Sequence, residues 1–397
     1  MASLLDDTPH RSRLDAGVRD ALTFALDSIR PEGGFHYLGG DRRPMPDRPP
    51  VLFLTARMAW VSSAGVRDGI PGSERLLDHA MDSLLGFHWD AQHEGWLTKP
   101  GTATRKSTYD HMHCGMAASG AMAAGHPRAQ ELMDRVIEVV DTRLWDGGTR
   151  ALRESFAEDW SDEEDYRGAN ANMHGTEAMI LMGHATGDRR WHDRALAVAD
   201  RLINRAARDQ DWLLPEHFTA DWRPDLGYNR DRPEDPFRPY GATFGHSLEW
   251  ARFLLQLHRS PWVGGAREAA WLPAAAEALT RRALDGGWGI DGIEGLPYTV
   301  DWDGTPVASV RLHWPVCEAI QASAELIRTT GDEHWDQWYR LLWDHADAVW
   351  IDENGSWINE VDPEMREAGS VWPGRPDVYH AVGALRAPHT AGNQPLD

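Results

Sequence analysis

The sequence predicts an all-α fold, an (α/α)6 barrel of six helical hairpins with short β-hairpin-like excursions in the loops. Three observations predict it. Apolar residues recur at three-to-four spacing along most of the chain, the turns between helices repeat at a near-constant interval, and polar residues recur at the start of every second helix. Residues 1–397 read as one domain, with a core at about 15–387 and short tails.

Twelve helices are expected, near 15–30, 54–65, 73–89, 109–124, 128–144, 171–186, 190–207, 243–259, 267–284, 312–330, 332–350 and 377–387. In 190–207, Trp191, Ala195, Val198 and Leu202 share one face. Each odd-numbered helix is followed by a glycine or acidic turn and then a large apolar residue. Those residues are Phe35, Trp96, Leu152, Trp212, Trp288 and Trp357, at steps of 61, 56, 60, 76 and 69 residues. A second echo, Thr186-Gly187-Asp188 against Thr330-Gly331-Asp332, lies two units apart, with Gly ending one helix and Asp capping the next. Each of the six units is read as a helix, a turn with a short excursion, and a second helix.

The even-numbered helices begin with Arg57, with Tyr109-Asp110-His111, with Asn170 and His174, with His246 and Glu249, with His313-Trp314 and Glu318, and with His380. The steps from Arg57 through His111, His174, His246, His313 and His380 are 54, 63, 72, 67 and 67 residues, the period of the turns. If these helices form an inner ring, the six starts converge at one rim, where the longer connections would wall a deep cleft. This convergence favours a closed barrel over an open solenoid. His111 and His113 are two residues apart and point apart on a helix. Arg57 sits in the largely apolar LTARMAW, so its charge must be paired internally or serve as an anion clamp.

Composition narrows the function. With 40 Lys+Arg against 62 Asp+Glu, the net charge of −22 argues against a nucleic acid backbone or an anionic membrane surface. No apolar run approaches the ~20 residues that span a bilayer, and MASLLDDTPHRSRLD has no signal-peptide pattern. Two cysteines, Cys114 and Cys317, make neither a disulfide scaffold nor a cysteine-rich zinc site, so the cytoplasm is the expected compartment. The two lysines, Lys99 and Lys106, lie in a polar stretch that reads as a loop, against a buried Schiff-base lysine. The 20 tryptophans serve either an aromatic core or stacking on sugar faces, and those of the turns read as packing residues.

A wide helical cleft with two carboxylates, several histidines and tryptophans suits a sugar. Glu249 and Glu318 could act as the carboxylate pair of a glycoside hydrolase. Histidines near neutrality suit an aldose–ketose isomerase or 2-epimerase, which removes the C2 proton, passes through a cis-enediol(ate) and returns a proton to C1 or C2. His174, His246, His380, Glu249 and Glu318 are also fair transition-metal ligands, although no HExxH-type pair is present.

LTARMAW with Arg57, NANMHGTE from Asn170, GHSLEWAR from His246, WPVCE from Trp314 and Asp377-Val378-Tyr379-His380 together resemble the N-acylglucosamine 2-epimerase superfamily, over about residues 50 to 385. Within it the chain is most similar to the mannose isomerase and sulfoquinovose isomerase branch. The resemblance implies an (α/α)6 barrel and cofactor-independent, metal-free proton transfer by two histidines on a monosaccharide. It implies His380 as the shuttle between C2 and C1, and His246 as the partner acid–base for ring opening and for oxygen-bound protons. It implies Arg57, Asn170, His174, Glu249 and Glu318 on the hydroxyls and enediolate oxygens, Tyr109 and Trp314 shaping the pocket, and a loop over the cleft at 223–239. The expected reaction is D-mannose to D-fructose, with D-lyxose as a smaller substrate. Alternatives are a cellobiose- or N-acylglucosamine-type 2-epimerase, or a sulfosugar isomerase using Arg230, Arg232 or Arg238.

Overall fold

Twelve α-helices form the frame of the computed structural model, which describes residues 3–389. They are α1 (Thr8–Ala25), α2 (Leu52–Arg67), α3 (Ser73–Asp82), α4 (Thr108–Ala123), α5 (Ala129–Val139), α6 (Ala169–Thr186), α7 (Arg190–Ala199), α8 (Phe244–Arg259), α9 (Leu272–Gly287), α10 (His313–Thr330), α11 (Glu333–His345) and α12 (Tyr379–Arg386). The even-numbered helices pack in sequence, α2 on α4 and so on to α10 on α12, and α12 returns to α2. That closes an inner ring. The odd-numbered helices form the outer layer, α3 on α2, α5 on α4, α7 on α6, α9 on α8, α11 on α10, and α1 on α12. The chain is an (α/α)6 barrel.

Three details differ from the sequence reading. The tight hairpins run from an inner helix to the next outer one, across links of two to twelve residues, so the first helix completes the unit begun by the last. The expected outer helices 73–89, 128–144, 190–207 and 332–350 each end in a wide π-helical stretch, at Ser83–Phe87, Val140–Leu144, Asp200–Ala207 and Ala346–Trp350. The apolar periodicity runs on through these turns, which is why the sequence shows no break. At the first helix, Asp7 accepts the His10 N–H at 2.8 Å and Pro9 stands in the first turn, so α1 starts earlier than expected. Gly187 and Gly331 end α6 and α10 with φ of 70° and 67°, the left-handed cap that the repeated Thr-Gly-Asp implied.

The long connections lie at the N-terminal ends of the inner helices and carry ten strands of two or three residues, in five antiparallel pairs. Only β2 (Trp145–Asp146) with β3 (Ala151–Leu152), and β7 (Thr299–Val300) with β8 (Pro306–Ala308), are local hairpins. The others stitch successive units. They are β1 (Lys106–Ser107) with β4 (Ser155–Phe156), β5 (Arg167–Gly168) with β6 (His217–Phe218), and β9 (Arg311–Leu312) with β10 (Glu360–Val361). Since β1, β5 and β9 run directly into α4, α6 and α10, these pairs fix the starts of three inner helices.

Six tryptophans, Trp96, Trp191, Trp250, Trp335, Trp343 and Trp350, are fully buried in the packing of the barrel. Lys106 corrects the sequence reading. It is no loop lysine but a fully buried strand residue, with its Nζ 2.9 Å from Asp90 and over the Trp160 ring. Its ion pair spans the second unit, away from the central cavity.

Candidate active site

The polar starts of the inner helices meet in one cavity at the barrel mouth. Arg57 of α2, Tyr109 of α4, Asn170 and His174 of α6, His246 and Glu249 of α8, Trp314 of α10 and His380 of α12 all line it. The inner helices point their N-termini toward this rim, where the positive dipole ends favour negative charge.

Two histidines are built alike. His246 Nδ1 is 2.9 Å from Glu216 Oε1, and His380 Nδ1 is 2.8 Å from Glu318 Oε1. With Nδ1 donating to a carboxylate, Nε2 is the basic nitrogen available to a ligand. The Trp314 ring lies 5.1 Å from one imidazole and 5.8 Å from the other, tilted 35° and 39°, so it separates and braces the pair. Burial holds His380 below its ordinary value of 6.5, while Glu318 pulls it back up. His380 is therefore a neutral base near pH 7.

Arg57 forms an internal ion pair at the cavity wall. Its Nη1 donates to Asp377 at 3.1 Å, its Nη2 to the Tyr109 hydroxyl at 3.0 Å and its Nε to His113 Nε2 at 3.1 Å, and the guanidinium lies over the Tyr379 ring. The bond from Arg57 requires an unprotonated His113 Nε2, whose Nδ1 donates to the Tyr109 carbonyl at 2.7 Å. Burial, with His174 and Arg57 nearby, keeps His113 well below the usual histidine range.

Beneath the cavity lies a buried charge cluster. The Arg252 guanidinium reaches Glu318 at 3.1 Å, Glu177 at 3.4 Å and Glu249 at 3.8 Å. Glu177 also accepts the Tyr379 hydroxyl at 2.7 Å and faces His174 Nδ1 at 3.2 Å. Burial first, then Glu318 and Glu177, push the Glu249 carboxyl well above its usual range. Burial opposes ionisation of Glu318 as well, but Arg252 and His380 outweigh it and hold Glu318 low. Burial, aided by the positive charge of Arg57, likewise keeps His174 neutral. Glu249 Oε1 and Asn170 Oδ1 are buried without a hydrogen-bond partner among the described residues, and both residues face the cavity. Each has polar capacity left for a hydroxyl-rich ligand.

Eight of the nine site residues read from the sequence thus line one cavity. The ninth, Glu318, lies behind His380, where it orients the imidazole and is shut off from the cavity surface. His111 also departs from the reading. It faces away, with Nδ1 on the Ser107 carbonyl and Nε2 accepting the Trp96 N–H, while His113 turns inward. Sequence reasoning missed Glu216, His113, Glu177, Arg252 and Asp377 as partners. His313, one of the in-phase polar starts, also lines the cavity, and burial lowers its pKa to about 3. The loop at 223–239 reaches the cavity through Pro236, Phe237 and Pro239. Of its arginines, Arg230 binds Tyr240, Arg232 binds Asn229, and Arg238 is bound to Glu154 and Glu164.

Comparison with known proteins adds three findings. The family model described as N-acylglucosamine 2-epimerase matches residues 33–384. The chain is 43% identical over 386 residues to the D-mannose isomerase of Thermobifida fusca, covering 96% of this chain and 94% of that protein. It is 40% identical over 391 residues to the D-mannose isomerase of Pseudomonas cannabina pv. alisalensis, covering 98% and 94%. Among solved structures, a D-mannose isomerase superposes with a TM-score of 0.86 at 26% identity, covering 95% of this chain and 97% of the other.

Proposed function

The chain belongs to the N-acylglucosamine 2-epimerase family, and from that premise we propose that it is an aldose–ketose isomerase interconverting D-mannose and D-fructose through a cis-enediol(ate). The observation that carries the chemistry is the pair of carboxylate-backed histidines on one cavity, His246 with Glu216 and His380 with Glu318. His246 takes the proton of the anomeric hydroxyl and returns one to the ring oxygen, which opens the pyranose. His380 Nε2 removes the C2 proton. The resulting imidazolium is stabilised by Glu318, His246 carries the proton of the C2 hydroxyl to the C1 oxygen, and the His380 nitrogen delivers its proton to C1, leaving the carbonyl at C2. Arg57 stands over the developing oxyanion, and Glu249, whose burial favours the protonated form, donates a hydrogen bond to it. Asn170 and His174 hold the remaining hydroxyls.

The same geometry weighs against the hydrolase alternative. Glu318 is fully buried and committed to Arg252 and His380, so it does not stand exposed opposite Glu249 as the hydrolase pair requires. It also supports a metal-free reading. His174, Glu177 and Glu249, and separately Glu249, Glu318 and His380, are close enough to share an ion, but the Arg252 guanidinium already supplies the positive charge among the three carboxylates.

Chelator-treated protein given D-mannose tests this reading by proton NMR of the products. D-fructose is the expected product, at a rate unchanged by chelator. Turnover that returns only with a divalent ion would overturn the metal-free mechanism. Glucose as the early product would make the protein an epimerase, and reducing ends released from a mannan would make it a hydrolase.

A further inference from the structure

Outside the reacting groups, a fully buried carboxylate stands without a cationic partner among the described residues. Glu360, on β10, accepts four hydrogen bonds from one short segment. Its Oε1 takes the Ser370 N–H at 2.7 Å and the Ser370 hydroxyl at 2.6 Å, and its Oε2 takes the Val371 and Trp372 N–H groups at 2.8 and 2.7 Å. Three successive backbone donors converging on one carboxylate make a tight, charge-assisted clasp. Both ends of the clasp bear on the sugar cavity. The Glu360 backbone pairs with Leu312, next to His313 and Trp314, and the clasped segment carries Trp372 into the cavity wall.

Trp372 meets Phe237 edge-on at 5.1 Å, and Phe237 in turn meets Phe53 and Tyr109. Trp372 and Phe237 border both the inner cavity and a larger outer chamber of about 540 Å³. They are thus the aromatic wall between the sugar site and the open cleft. Ser370 is exposed and Trp372 half-buried, while Val371 between them is buried with Leu312 in an apolar cluster against which Trp372 packs.

We propose that Glu360 is a positioning residue that sets the outer wall of the sugar pocket by clasping Ser370–Trp372, and so governs substrate affinity through Trp372. This rests on the isomerase reading only for the choice of sugar. In Glu360→Gln one carboxylate oxygen becomes an NH2 group that faces donors, so one half of the clasp is lost and Trp372 is released.

The test is a double-substitution cycle of Glu360→Gln and Trp372→Ala in the full chain. Affinity is read as KM for D-mannose and as Kd for D-mannitol, which binds without reacting. Each single variant is expected to weaken both by about tenfold, with kcat within about threefold of wild type. The double variant should be no weaker than the worse single one, because Glu360 acts through Trp372. Multiplying effects, or a Glu360→Gln protein that loses heat stability and active fraction at unchanged KM and Kd, would overturn the proposal. If D-mannitol responds as expected while D-mannose is never turned over, the isomerase reading fails and the wall assignment stands. If Glu360→Gln does not fold, Trp372→Ala and Ser370→Ala decide. Ser370→Ala, which deletes one donor to Glu360, should raise KM and Kd in the same direction, and no change in it would count against the clasp.

Discussion

Replacing His380 with alanine is expected to abolish isomerisation while leaving the barrel folded. The imidazole is the base assigned to C2, and a positioned general base contributes roughly 10²–10⁴ in rate. The ring is small, lies at the cavity and is tied to the core mainly through Glu318, so its loss removes the chemistry without opening the helix packing. His246→Ala should lose a comparable factor on closed-ring sugar, because ring opening would lack its acid–base partner. Steady-state kinetics alongside a melting curve check both. A rate within tenfold of wild type in either variant removes that histidine from the mechanism. Glu318→Gln refines the assignment. The carboxylate raises the His380 pKa against the burial that lowers it, so without the negative charge that pKa drops further. The acidic limb of kcat/KM, where His380 becomes protonated, should then move to lower pH while the plateau rate falls.

The second large effect concerns stability. Arg252→Met should destabilise the fold by about 3–5 kcal/mol, the cost typical of breaking a buried ion cluster. Arg252 is the cation that touches Glu177, Glu249 and Glu318, and methionine retains the volume of the stem but no charge. The pH dependence distinguishes this from a packing defect. With the cation gone, the crowded carboxylates of the folded variant hold protons more tightly than those of the unfolded chain. The deficit relative to wild type should therefore shrink as pH falls from about 8 toward 5.5. Denaturant unfolding of both proteins at several pH values measures it. A pH-independent deficit, or one below about 1 kcal/mol, contradicts the role given to Arg252.

The barrel was legible because its determinants are local and repeated. Helical periodicity, the Gly-Asp punctuation and the phase of the polar starts each belong to one unit, and six units reinforce one another. The convergence of Arg57, Tyr109, Asn170, His174, His246 and His380 followed from that phase alone. The distant partners were not legible, because they are long-range. Glu216 reaches His246 from the preceding loop, Asp377 reaches Arg57 across 320 residues, and Tyr379 reaches Glu177 across 202. No spacing rule announces such pairs. His111 shows the opposite error. It kept the period, yet the strand pair at the start of α4 turns it outward, and Tyr109 and His113 carry that unit's contribution. Glu318 kept its helical phase too, but one turn deeper in the barrel, where it backs a histidine and is shielded from the cavity.

The central claim is that His380 moves a proton between C2 and C1 of the sugar. Isomerisation of D-mannose in D2O, followed by proton NMR of the D-fructose formed, tests it most directly. The imidazolium exchanges with solvent during the life of the enediolate, so deuterium is expected at C1. D-Fructose formed with protium alone at C1 would contradict an exchanging proton shuttle at His380.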